Sequence, residues 1–169
     1  MINLRVDNEC ELRPFVESDA DVVFAKVIVN YEHLHPFLLW VNRDYSLKSA
    51  KEFIKQTQKA LLEKTSQELA IIYKDKFIGS IGFVGFSWNS KRTEIGYWIA
   101  KDFEGQGIIT KCCKFLVDYA FEELKMNRVE IRCATENVRS RAVPERLGFK
   151  LEGILRQSIW RHKRYYDLA

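Results

Sequence analysis

TEIGYWIAKDFEGQGIITKCCKFLVDYAFEEL, residues 93–124, sets a strand, a glycine-punctuated turn and a strongly periodic helix in direct succession. Ile95, Tyr97 and Ile99 alternate with Glu94, Gly96 and Trp98, the period of a half-buried strand with a carboxylate on one face. After the turn, Ile108, Ile109, Cys112, Cys113, Leu116, Val117, Ala120, Phe121 and Leu124 recur three and four apart, leaving Lys111, Lys114, Asp118 and Glu122 outside the stripe. Gly105 and Gly107 remove side chains where the first N–H groups of the new helix can close on an anion. A pyrophosphate is the expected guest, against the alternative of a loop that merely turns. The pattern G-x-x-x-x-G-K-[ST] is absent, Thr110 stands at the third-glycine position of the dinucleotide fingerprint, and Glu94 lies on the preceding strand. The ligand read from this loop is neither a nucleoside triphosphate nor a nicotinamide dinucleotide.

Upstream, Cys10–Phe15 reads as a strand, and Ser18 or Asp19 caps a helix through Val22, Val23, Val27 and Ile28 that ends near Asn30. In HLHPFLLW, Pro36 disfavours helix at His35, so a loop or broken helix is expected. Ser46 caps a second helix running out near Glu63. Leu69–Tyr73 and Phe77–Phe86 read as strands joined through Lys74, Asp75 and Lys76, with Gly79, Gly82 and Gly85 marking bulges or close backbone approach. A turn through Trp88, Asn89 and Ser90 leads into the Glu94 strand. Downstream, Val129, Ile131 and Cys133 alternate as a strand parallel to it. Asn137 to Gly148 is a capped helix in which Pro144 lacks the N–H that would bond the Ser140 carbonyl, predicting a kink. Phe149–Arg156 and Tyr165–Leu168 close the sheet, the last strand being either short or completed at its edge by a second subunit in a homo-oligomer.

With 169 residues and 47% hydrophobic composition, one domain over residues 1–169 is expected. The net charge of +4 does not imply wholesale nucleic-acid binding. Arg156, Arg161, His162, Lys163 and Arg164 crowd the C-terminal end, either as a solvated strand edge or as a contact for RNA or the ribosome. Cys10, Cys112, Cys113 and Cys133 have no C-x-x-C spacing, which suits a reduced, cytoplasmic protein. No His, Cys or acidic cluster suggests a metal, and no apolar run suggests a signal peptide or membrane span.

The segments EIGYWI, EGQGIIT, NRVEIRC and ENVRSRAVPERLGFKLEG resemble the GNAT N-acetyltransferases, and among them the branch of ribosomal-protein N-terminal acetyltransferases. The resemblance spans nearly the whole chain. It implies an α/β fold with a mixed, mostly antiparallel sheet splayed between the Glu94 and Val129 strands and flanked by about four helices. It also implies acetyl-CoA as co-substrate. The family's loop pattern Q/R-x-x-G-x-G/A falls on Glu104–Ile109, where Gly107 matches and Glu104 and Ile109 depart. Pyrophosphate contacts are therefore expected from the backbone of Gly105, Gln106, Gly107, Ile108, Ile109 and Thr110, and pantetheine contacts from the backbone of Ile99 and Ala100. Asn137 matches the family's asparagine at the cleft mouth, and is equally a helix cap.

The resemblance offers two catalytic candidates. Glu94 is the expected general base, or else a partner for Lys91, Arg92 or another cation. Ser140, in the N-x-x-S pattern with Asn137, is expected near the cofactor sulfur, because Pro144 stands where many relatives carry a tyrosine that protonates the leaving thiolate. Phe37, Trp40 and Trp98 are candidate walls of the acceptor pocket, or simple core. The leading acceptor is a protein N-terminal α-amine, that of a ribosomal protein first; polyamines, antibiotics and other small amines stay open, as does a catalytically idle acyl-CoA sensor.

Overall fold

A computed structural model of the protein describes residues 3–161 and 163–169, so His162 of the basic run lies outside the described residues. Five strands follow one another antiparallel across the central sheet: β1 (Leu4–Arg5), β2 (Cys10–Pro14), β3 (Gln67–Tyr73), β4 (Lys76–Ser87) and β5 (Arg92–Ile99). A sixth, β6 (Arg128–Glu130), adds parallel to β5. The β3–β4 link is the two residues Lys74 (φ 48°) and Asp75 (φ 62°), whose left-handed backbone matches the twist of a hairpin. Gly79 and Gly82 are close-approach positions: a Cβ would come within 2.3 Å of the Trp98 carbonyl oxygen and 2.1 Å of the Gln67 carbonyl oxygen respectively.

The helices are α1 (Ala20–Val29), the four-residue α2 (Tyr31–Leu34), α3 (Leu47–Leu62), α4 (Ile108–Glu122) and α5 (Val138–Arg146). Asp19 and Ser46 precede α1 and α3 as expected, and Ser46 Oγ accepts from the Ser49 N–H at 3.3 Å. Asp19, buried, instead accepts both Arg13 Nη atoms at 2.8 Å. His35 keeps helical dihedrals (φ −51°, ψ −39°) despite Pro36, because its N–H bonds the Tyr31 carbonyl and its ring stacks on Tyr31.

Two apolar cores lie on opposite faces of the sheet. α4 covers Leu12, Leu69, Ile81 and Ile95 with Cys112 and Leu116, while α1 and α3 cover Phe15, Ala70 and Trp98 with Val23, Val27 and Ile54. Among the described residues no helix is long and apolar enough to cross a membrane.

Two expected strands are shorter than predicted. β6 pairs only from Arg92↔Arg128 to Glu94↔Glu130, because the Cys133 amide and carbonyl are bonded instead to Ala169 at 3.1 and 2.9 Å. The sheet therefore opens beyond Glu94. The strand expected at Phe149 begins at Leu155: β7 (Leu155–Arg161) pairs with β8 (Arg164–Leu168) as a separate hairpin, and Phe149–Ile154 finds no neighbouring strand among the described residues.

Candidate active site

Where β5 ends, Gly105 (φ +73°) and Gly107 (φ +75°) turn the chain into α4, a conformation that costs an L side chain about 1–2 kcal/mol. The turn leaves the amides of Gly105 through Thr110 without an acceptor among the described residues; the first helical bond is from the Lys111 N–H to the Gly107 carbonyl at 3.0 Å. Gly105 and Gly107 through Thr110 line a cavity of ≈ 850 Å³ between the α4 N-terminus, the open edge of β5 and α5. Partial positive charge from the helix end adds to it. Arg146 reaches Thr110 Oγ1 at 3.4 Å and has no carboxylate within ion-pair distance among the described residues. Lys111 and Lys114, also on the rim, are held by Asp7 and Asp118. Glu104, the residue that departs from the loop pattern, turns its carboxylate to Arg139 of α5 and to His33 Nε2 at 3.6 Å.

Of the expected cofactor-binding positions, Ile99, Gly105, Gly107, Asn137 and Ser140 line the cavity, with Ile108, Ile109 and Thr110 beside them. Gln106 and Ala100 do not. The Gln106 side chain bonds the Asp102 carbonyl at 2.9 Å. The Ala100 N–H is committed to the Ile78 carbonyl and its carbonyl to the Phe103 N–H, while the Ile99 carbonyl meets His33 Nε2 at 3.1 Å.

Ser140 has a neighbour that its sequence position does not announce. α5 runs through Pro144, and the Ser140 carbonyl that proline leaves without an N–H accepts instead from the Tyr97 hydroxyl at 2.9 Å. In turn Ser140 Oγ donates to the Tyr97 oxygen at 3.3 Å, long for an O–H···O bond and easily exchanged for a better acceptor. Asn137 Oδ1 accepts from the Ser140 N–H at 3.2 Å, so its capping role is present. Burial drives the Tyr97 phenol further above its ordinary range, so it serves as a neutral hydrogen-bonding group.

The opposite face holds the candidate acceptor groups. Phe37 and Trp98 line the cavity; Trp40 stands behind Trp98, ring centres 6.1 Å apart. Glu94 lies outside the cavity lining, its Oε2 bound by Arg132 through Nε at 2.8 Å and through Nη2. Two rows along the sheet, Glu68 is bonded by the Ser80 hydroxyl and has no cation within ion-pair distance among the described residues. Desolvation pushes its carboxyl up to about 7, the Ser80 bond offsetting part of the rise.

Comparison with known proteins converges on one family. Residues 10–150 match the family described as "Acetyltransferase (GNAT) domain". The chain belongs to the GNAT acetyltransferases. Over its full length it is 35% identical to the "Putative ribosomal N-acetyltransferase YdaF" of Bacillus subtilis (strain 168), covering 93% of that protein. It is 28% identical to the ribosomal-protein-serine acetyltransferase of Escherichia coli (strain K12), over 98% of this chain and 92% of that one. Among solved structures, the microcin C7 self-immunity acetyltransferase MccE in complex with acetyl-CoA and AMP superposes with a TM-score of 0.92 at 26% identity, over 96% of this chain and 91% of that one.

In this GNAT acetyltransferase the C-terminal basic run is not one solvated edge. Arg161 points inward, 3% exposed, with Nη1 on the Phe37 carbonyl at 3.0 Å and its guanidinium 4.1 Å above the Tyr166 ring. Arg164 pairs with Glu136 at 2.9 Å. Tyr97 is a cavity-lining residue that sequence reasoning missed; its signal was Pro144, which announces an orphaned carbonyl.

Proposed function

We propose that this acetyltransferase moves the acetyl group of acetyl-CoA onto a primary amine, foremost a protein N-terminal α-amine, by direct attack with both substrates bound. The observation that carries the donor half is the run of unbonded amides from Gly105 to Thr110, all but Gln106 belonging to residues that line the cavity beside Arg146. Backbone donors at a helix N-terminus suit a pyrophosphate. The acceptor half is supported by the relatives, two of which carry ribosomal-protein acetyltransferase names. In this reading residues 1–169 act as one domain, in the cytoplasm.

Acetyl-CoA, when bound, supplies an acetyl group activated as a thioester. The backbone from Gly105 to Thr110 binds its pyrophosphate, and Ile99 and Asn137 border the path of its pantetheine arm. Ser140 turns its hydroxyl from Tyr97 to the departing sulfur, which leaves as a thiolate of pKa ~8.5 by analogy with cysteine. Glu94 is the general-base candidate of this reading, held as a carboxylate in the resting protein by its bond from Arg132.

The deciding experiment follows free-thiol release from acetyl-CoA with peptides beginning in Ser or Ala, the same peptides blocked at the N-terminus, and spermidine. Release with the free peptides and none with the blocked ones is expected; release with spermidine alone overturns the acceptor. Ser140→Ala is expected to slow turnover about ten- to a hundredfold, since a hydrogen bond to a charged group contributes about 1.5–3 kcal/mol. A variant that loses acetyl-CoA binding yet turns over normally at saturation reassigns Ser140 to holding the cofactor.

A further inference from the structure

We infer that His33 Nδ1 accepts the proton of the acceptor's ammonium group, an assignment that rests on the acetyl-transfer reading above and moves its base from Glu94 to the cavity wall.

The ring stands where the two halves of the cavity meet. α2 places His33 directly before Leu34, and Leu34, Phe37 and Leu38 line the acceptor side with it. On the donor side His33 Nε2 meets the Ile99 carbonyl at 3.1 Å and Glu104 Oε1 at 3.6 Å, and both of those residues line the cavity as well. Tyr97, two residues before Ile99 on β5, donates its hydroxyl to the Ser140 carbonyl at 2.9 Å. Two residues of strand span about 7 Å. The imidazole and the hydroxyl proposed to meet the leaving sulfur are therefore both tied to the last three residues of β5, at the end where the sheet opens.

The partners fix the tautomer. A carbonyl and a carboxylate only accept, so Nε2 carries the hydrogen of the neutral ring and the Nδ1 lone pair is left as the acceptor. Nδ1 has no hydrogen-bond partner among the described residues, and the side chain, 19% exposed, is not sealed from the cavity.

Elimination leaves the same group. Of the ionisable side chains on the lining, Lys111, Lys114, Arg139 and Arg146 are donors. Burial keeps the Tyr97 phenol neutral, and Glu104 is taken by Arg139. Glu94, outside the lining, is taken by Arg132. The other charged groups around the ring are committed elsewhere or turned to solvent. Lys26 of α1 lies over the Phe103 ring, Glu32, Lys101 and Asp102 are exposed, the His35 ring stacks on Tyr31, and Arg161 of β7 holds the Phe37 carbonyl. Imidazole is the side chain suited to exchanging protons near neutral pH.

The balance is complete without an added reactant. R–NH3⁺ gives one proton to His33 Nδ1, and the ring becomes an imidazolium with the Glu104 carboxylate facing it. The neutral nitrogen forms the N–C bond to the thioester carbonyl carbon, the C–S bond breaks, and the sulfur leaves with the bonding pair. The second nitrogen proton goes to that thiolate, giving R–NH–CO–CH3 and CoA–SH. His33 returns its proton to solvent.

His33→Gln keeps an N–H for the Ile99 carbonyl and removes the base. In the full chain with acetyl-CoA and a peptide beginning in Ser, it is expected to lower kcat/KM by about 10²- to 10⁴-fold at pH 7. It should also erase the acid limb of the pH profile, with activity climbing about tenfold per pH unit until the amine itself deprotonates, while the acetyl-CoA Kd stays unchanged. Added imidazole should restore part of the activity of His33→Ala. A residue that merely holds Ile99 would be replaced by Gln without loss and would gain nothing from imidazole. Where neither variant folds, the ring nitrogens of the wild type, followed by NMR, still decide: Nε2–H with a bare Nδ1 in the neutral ring supports the assignment, and Nδ1–H overturns it. A folded His33→Gln with the wild-type pH profile overturns this inference alone, and loss of the acid limb in Glu94→Gln instead returns the base to Glu94. A wild type inactive toward every amine overturns the acetyl-transfer reading as well.

Discussion

The two faces of the central sheet carry their chemistry differently. On the α4 face the proposed anion site is main chain: the unbonded amides of Gly105 to Thr110 and the end of a helix, shaped by two glycines with positive φ. On the α1–α3 face the carboxylates are side chains, Glu68 and Glu94, brought to one surface by pairing between β3, β4 and β5. Backbone sites demand particular residues, because only glycine tolerates the geometry at low cost. Side-chain sites demand only that a group arrive, and any strand can deliver one. The first kind leaves a sequence signature, and the second leaves one only after register is known.

The largest expected effect lies on the backbone face. Gly107→Val places a β-branched residue at φ +75°, on the lining of the cavity, where a Cβ meets no protein atom within 4 Å. The strain costs about 1–2 kcal/mol. The ligand-dependent gain, about 2.7 kcal/mol at a hundredfold excess of acetyl-CoA over its Kd, should vanish as well. Thermal melts with and without acetyl-CoA check this, with Gly107→Ala separating strain from obstruction. An unreduced shift in folded Gly107→Val would mean that the amides do not face the ligand.

A somewhat smaller effect is expected on the other face, and its sign is unusual. Glu68 in the folded protein is raised from the ordinary 4.5 to about 7, so between those values the native state holds a proton that the unfolded chain has released. Stability is therefore highest below about 4.5, falls as pH rises to about 7 and then levels. The shift corresponds to between about 3 and 4 kcal/mol at 1.36 kcal/mol per unit. Asp7, Asp19, Glu9 and Glu152 are shifted the other way and act at lower pH. Urea melts from pH 4.5 to 8 should show the decline in wild type and a flatter curve for Glu68→Gln, which should be the more stable protein above pH 7. Parallel curves would remove the contrast between the faces.

The same contrast explains what could be read from residues alone. Ser46, Asn137, Gly107 and the Ile108–Glu122 stripe are local signals, each decided within one turn of its own position, and each is where the periodicity put it. β6 ends early because Cys133 bonds the far C-terminus, 36 residues along the chain, as Ala169. Arg161 turns inward because the Phe37 carbonyl and the Tyr166 ring meet it, and no window around residues 156–164 contains Phe37. Glu68 needs two strand pairings and the bulge between Phe83 and Gly85 before its neighbours are known.

The smallest effect probes the one place where a local signal and a distant side chain meet. Pro144 orphans the Ser140 carbonyl, and Tyr97, 43 residues away, supplies the missing donor at 2.9 Å. Tyr97→Phe leaves that carbonyl unsatisfied in a partly buried site, which should cost about 1–3 kcal/mol. Pro144→Ala restores an N–H one turn downstream that can close the helical bond. In that background Tyr97→Phe should cost clearly less, with a coupling energy of about 1 kcal/mol in a double-mutant cycle read from urea midpoints. Additive losses would show that the phenol stabilises the protein by packing alone. Turnover gives the complementary reading. With Tyr97 gone, the Ser140 hydroxyl loses its resting acceptor but keeps its place beside the cavity, so kcat at saturation should fall far less than in Ser140→Ala. Equal losses would make the phenol, rather than the serine, the group that meets the leaving sulfur.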